Sequence, residues 1–221
     1  MRIANPVQFT KALKILSALA SQAHGTAQES IFQRICVKWL GREGVRIIST
    51  DGHRSFAVTF ANDPTMPAAY LSEGIAFITL DYAQWESYFA QYSINTIFKG
   101  QDGHVKALAT GRASPQQQFG IDFGKEAEPW DVQVIENFIA MKNEEPVNLQ
   151  RILINPEFMT DAFVLINSLW EIGSGAGAIP PRAHLYIPAT QNTPFKLTSV
   201  WPNEAHPDIK MEVVIAPYVS P

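Results

Sequence analysis

The chain has 221 residues, enough for one large hydrophobic core or two modest ones. An apolar fraction of 46% with 17% charged residues excludes a disordered chain, and no apolar run approaches the roughly 20 residues needed to span a bilayer. Seventeen basic against 21 acidic residues give a net charge of −4, which excludes a globally cationic nucleic-acid binder and leaves any DNA contact local and weak.

The first residues, Met1-Arg2-Ile3-Ala4-Asn5-Pro6, lack the apolar segment and cleavage site of a secretory signal. They read instead as a short strand running into a helix, with Asn5 at the N-cap and Pro6 at the first helical position, where a missing N–H costs nothing. Phe9, Leu13, Leu16 and Leu19 then follow the three-and-four spacing of one helix face, with Lys11 and Lys14 on another. Two strands, Ile31 to Leu40 and Val45 to Thr50, flank the turn Gly41-Arg42-Glu43-Gly44, and Phe56 to Phe60 supplies a third. The lone cysteine, Cys36, lies in the first of them; it excludes an internal disulfide and fits a reducing cytoplasm.

The same order returns twice. Phe77 to Asp81 is a strand and cap, followed by a helix carrying Tyr82, Trp85, Phe89 and Tyr92, a hairpin around Gly100-Gln101-Asp102-Gly103, and a strand at Phe119 to Phe123. Ile152 to Asn155 opens a third unit, with Phe158, Ala162, Leu165 and Leu169 on its helix, strands at His184 to Pro188 and Phe195 to Trp201, and a last strand at Met211 to Ile215. The three caps, Asn5, Asp81 and Asn155, stand 76 and 74 residues apart. The expected fold is therefore α+β, with three strand-helix-three-strand units. Residues 125–150, with Glu126, Glu128, Pro129, Glu144, Glu145 and Pro146, read as a connector between a two-unit domain at 1–124 and a partial domain at 151–221.

Thr50-Asp51-Gly52-His53-Arg54 resembles the signature of bacterial DNA polymerase III beta subunits, the sliding clamps. Pro129-Trp130-Asp131-Val132-Gln133-Val134 is similar to the segment that leads into the clamp's last domain, and Val213-Val214-Ile215-Ala216-Pro217 resembles its C-terminal strand. The resemblance implies the DNA-clamp fold, whose domains hold two such units each. It also implies a non-enzymatic replication processivity factor that tethers polymerase on double-stranded DNA by enclosure. By position, a hydrophobic pocket for polymerase and clamp-loader peptides would use Thr50, Gly52, His53, Arg54, Pro129, Val134, Val214 and Ile215. Ser55 stands where the family has leucine, which implies a shallower pocket. The helices would face DNA, making Lys11 and Lys14 the candidate contacts; the alternative is a solvated helix face.

Two other readings stand beside this one: a clamp-fold adaptor that binds peptides without encircling DNA, and an unrelated α+β enzyme. The five histidines and Cys36 lack metal-ligand spacing, no cofactor motif is present, and Gly173-Ser174-Gly175-Ala176-Gly177 follows a helix without the Gly-Lys-Ser/Thr ending of a phosphate loop. With two units before the connector and one after it, the third unit is expected to leave a strand edge and half an apolar face unpaired, which implies a homo-oligomer.

Overall fold

The computed structural model describes residues 1–21, 34–51, 53–67, 71–80, 82–127, 129–140, 156–170, 182–186, 194–200 and 209–216. The first unit comprises helix α1 (Pro6–Ser21) and strands β1 (Arg34–Leu40), β2 (Val45–Thr50) and β3 (Arg54–Phe60). The second comprises β4 (Glu73–Thr79), α2 (Tyr82–Gln91), β5 (Tyr92–Lys99), β6 (His104–Gly111) and β7 (Gln118–Lys125). After helix α3 (Val132–Ala140) come α4 (Pro156–Trp170), β8 (Arg182–Tyr186), β9 (Phe195–Val200) and β10 (Ile209–Ile215). The strand expected at Ile152 to Asn155 and the cap Asp81 lie outside the described residues.

The strands form a seven-stranded sheet in the order β4-β1-β2-β3-β10-β9-β8 and a three-stranded sheet β5-β6-β7, all neighbours antiparallel. The first two units exchange their leading segments. β4 pairs with β1 of the first unit over its whole length, and residues 1–3 of the first unit bond to β5 of the second, with Ile3 N–H donating to the Asn95 carbonyl at 2.8 Å and Ile97 N–H to Met1 at 3.1 Å. The expected N-terminal strand is thus short, held by isolated bridges Arg2↔Thr96 and Ile3↔Asn62. Asp63 N–H donates to the Arg2 carbonyl, so this segment is stitched on both sides.

Helix α1 occupies the core because its apolar stripe matches the sheet behind it. Phe9, Ala12, Leu13 and Leu16 are fully buried, and Phe9 meets Phe60 edge-on at 5.3 Å. Thr10 Oγ1 donates back to the Pro6 carbonyl and accepts from the Ile94 N–H at 2.7 Å, which ties α1 to the second unit. The β1–β2 hairpin turns through a single 3₁₀ turn and Gly44 at φ 119°, where a Cβ would come within 1.9 Å of the Phe60 carbonyl oxygen; only glycine fits that approach.

The stretch expected to be a plain connector contains a helix. Val132, Ile135 and Ile139 fall on one face of α3 and bury against Cys36, Ile48, Ala57 and Val214, on the side of the large sheet opposite α1. Glu136 of α3 bridges Lys38 and Arg46, and Lys196 of β9 donates to the Ile139 carbonyl. The helix therefore straddles the β3–β10 seam, where the first and third units join in one continuous sheet. The acidic and proline-rich surroundings of this segment hid a short amphipathic helix whose spacing was in plain view.

Candidate functional site: a stitched corner and an outer cleft

Two places hold the residues singled out by sequence. The first is the corner between β2 and β3. Asp51 Oδ1 accepts from the backbone N–H of both His53 and Arg54 at 2.9 Å, an Asp-type turn that fixes the corner. Thr50 Oγ1 donates to the Arg54 carbonyl at 2.8 Å, and Ser55 Oγ donates to Thr50 Oγ1 at 2.9 Å. Ala216 N–H, just past β10, donates to the His53 carbonyl at 2.7 Å, so the corner and the C-terminal strand meet.

The side chains at this corner are already engaged. Arg54 is buried; its Nε bonds Asp51 at 2.8 Å, its Nη1 pairs with Asp161 of α4, and its guanidinium lies 4.7 Å from the Phe158 ring centre. His53 is exposed and stacks near-parallel on Phe158 at 6.4 Å. The signature segment thus locks the first unit to the helix of the third.

The eight residues expected to line one pocket do not converge on one. Strand alternation puts Val214 under α3 and Ile215 in the core on the α1 side, so the two face opposite ways. Thr50 and Arg54 are consumed by the turn and by α4, Val134 faces solvent on α3, and Pro129 lies elsewhere, at the second place. Gly52 lies outside the described residues. Ser55, where the family has leucine, supplies a hydroxyl to the turn.

The second place is a cleft of about 680 Å³ on the outer face, between β1, β4 and the segment entering α3. Ile75, Phe77, Trp130 and Val132 give it apolar walls, with Pro129 at its edge and Glu43, Glu73, Asp131 and Glu136 around it. Trp130 meets Phe77 edge-on at 5.5 Å and donates its indole N–H to the Arg34 carbonyl at 3.1 Å, which holds the wall rigid. β4 ends the seven-stranded sheet. Ala127 N–H donates to the Phe77 carbonyl, so the same outward phase leaves the backbone groups of Glu73 and Ile75 along the cleft. Only Pro129 among the expected pocket residues lines it; Ile75 and Trp130 were not anticipated, although an exposed isoleucine on a strand next to Glu73 and Gly74 is a sequence-visible signal.

Of the expected DNA contacts, Lys14 bridges Glu86 of α2 at 3.4 Å, and both Lys11 and Lys14 are half-buried. No basic residue occurs on α2 or α4. Burial pushes the Cys36 thiol up to about 12, with the nearby Glu136 charge adding to the effect, so it is no nucleophile. Among the described residues no three His, Cys, Asp or Glu side chains gather as a metal site, and no helix is long and apolar enough to cross a membrane.

Like units that exchange leading segments, each with a single helix packed on antiparallel strands, are the architecture of the DNA sliding clamp, and this chain has that fold. A DNA polymerase III beta-subunit clamp from Pseudomonas aeruginosa bound to griselimycin superposes with a TM-score of 0.51 at 13% identity, over 96% of this chain and 64% of that one. The beta subunit from DNA polymerase of Streptococcus pyogenes (TM-score 0.47, 10% identity) and another Pseudomonas aeruginosa sliding clamp with ligand (0.48, 15%) match over all of this chain and 68% and 66% of theirs. The chain spans about two thirds of the length of these clamps. No protein-family model and no curated protein matches the sequence.

Proposed function

We propose that this chain is a clamp-like, non-enzymatic scaffold that takes short peptide segments of a DNA polymerase or clamp loader into its outer cleft. The observation that carries the reading is the coincidence of an apolar, aromatic-walled cleft with the outer edge of β4, which has no further strand beside it among the described residues. An extended peptide adds to the Glu73–Ile75 edge through its backbone and buries aliphatic or aromatic anchors against Ile75, Phe77 and Trp130. The surrounding carboxylates Glu43, Glu73 and Asp131 favour a peptide with basic flanks. Tethering needs no reaction; it holds the bound enzyme at high local concentration.

The test is a fluorescence-anisotropy titration, at low salt, of a labelled polymerase-tail peptide with leucine and phenylalanine anchors. Ile75→Asp weakens binding about tenfold or more while His53→Ala leaves it unchanged. The reverse ranking places the peptide at the β2–β3 corner, as the family resemblance implies, and no binding removes the peptide reading altogether.

A second reading, an adaptor that binds peptides without encircling DNA, is favoured by the lack of basic residues on α2 and α4. Retention on circular but not linear duplex after a salt wash supports the ring; equal loss from both supports the adaptor.

A further inference from the structure

We infer, resting on the peptide-binding reading above, that the outer cleft selects its occupant by sequence and by direction. It takes extended segments in which an apolar residue is followed two residues later by lysine or arginine. The segment adds antiparallel to β4, with the apolar side chain beside Ile75 and the cation beside Glu73.

The open part of the β4 edge has definite limits. The first three residues of the strand, Glu73, Gly74 and Ile75, are exposed, and the next three are buried. At Phe77 the edge is occupied, since its carbonyl accepts from the Ala127 N–H at 2.8 Å; farther along, Trp130 reaches the carbonyl of Arg34, which stands opposite Thr79. Outward-pointing backbone groups belong to alternate residues of an antiparallel edge, so Glu73 and Ile75 each present an N–H and a C=O to an added strand. All strand pairs among the described residues are antiparallel, and that pairing is the slightly more stable per residue, which sets the direction. Directly opposed side chains share a face of the sheet. The residues opposite Ile75 and Glu73 therefore both look into the cleft, two apart in sequence, with the one opposite Glu73 the later.

These two side chains meet different surroundings. Beside Ile75 the walls are Phe77, Trp130 and Val132, which suit an aliphatic or aromatic anchor. At the other end stand Glu73 and Glu43. The Glu73 carboxylate lies against Gly41, 2.9 Å from where a Cβ would sit, and so is turned toward the short 3₁₀ turn that carries Glu43. Both glutamates are exposed, and neither has a hydrogen bond or ion pair among the described residues. The remaining charges at the cleft are engaged. Glu136 bridges Lys38 and Arg46, and Asp131 accepts from the Gln133 N–H at the start of α3, where the helix dipole offsets its charge. The unbalanced negative charge is thus at one end, within reach of a cation two residues beyond the anchor.

Anisotropy titrations at low salt test this with two versions of the leucine-anchored peptide, carrying lysine or glutamate two residues after the leucine. The wild-type chain binds the lysine version about fivefold more tightly, and the preference fades at high salt. Glu73→Lys removes the preference, and Glu43→Lys combined with Glu73→Lys reverses it. Moving the lysine to two residues before the leucine loses the gain. Equal binding of both versions by the wild-type chain, each abolished by Ile75→Asp, overturns the inference and leaves the cleft reading standing. A preference that survives the double charge reversal, or that is kept when lysine precedes leucine, also overturns it. No binding of either version overturns the cleft reading along with it.

Discussion

Replacing Arg54 probes the joint between the first and third units. Its buried guanidinium makes a 2.8 Å charge-assisted bond to Asp51, pairs with Asp161, and lies over Phe158. Charge-assisted bonds contribute about 1.5–3 kcal/mol each, and a cation over an aromatic face about 1 kcal/mol. The gross sum is reduced in Arg54→Ala because Asp51 keeps two backbone donors and Asp161, 32% exposed, regains water. The expected loss is about 3 kcal/mol. Asp161→Asn costs less, about 1.5 kcal/mol, since Arg54 retains Asp51. The double variant isolates the pair: urea unfolding followed by tryptophan fluorescence should give a coupling of about 1.5 kcal/mol. Coupling under about 0.5 kcal/mol, the ordinary scatter of additivity, refutes the claim that this pair locks the third unit in place.

Gly44→Ala is expected to destabilise the chain by more than about 2 kcal/mol, read as a lowered urea midpoint, because a Cβ there meets the Phe60 carbonyl at 1.9 Å on a positive-φ backbone. Cys36 should resist thiol reagents at pH 8 and react at once in urea. Its raised value also has a stability consequence: the folded chain keeps the proton that the unfolded chain releases near 9. This contribution is therefore intact below pH 9 and is lost as pH rises from about 9 through about 12, at up to about 1.4 kcal/mol per pH unit. Glu212, almost fully buried between Lys196 at 3.3 Å, Lys210 at 3.1 Å and Arg46 at 4.0 Å, is expected to cost about 3 kcal/mol when changed to Ala, measured by the same unfolding assay. DNA affinity, measured by filter binding across a salt series, should fall with a log–log slope no steeper than about −2, since α1 offers only Lys11 and Lys14; a much steeper slope would place DNA on another surface.

The sequence determined what is local and periodic. Helix and strand spacings and Pro6 and Pro156 at helix starts follow from backbone geometry and side-chain burial, so the α+β fold and most helices and strands of the three units were legible along the chain. The Thr50–Arg54 corner is likewise a local structure, because Asp51 and its backbone donors lie within three residues. Only the tertiary structure decided which side chains that turn leaves available. Arg54 finds Asp161 107 residues away, and one step along β10 separates Val214 beneath α3 from Ile215 in the core. Spacing cannot report such pairings, because they depend on strand order and sheet face. The cleft shows the same limit: Ile75, Phe77 and Trp130 are ordinary core-type residues in sequence, and become one apolar wall only when β4 ends the sheet and α3 stops short of covering it.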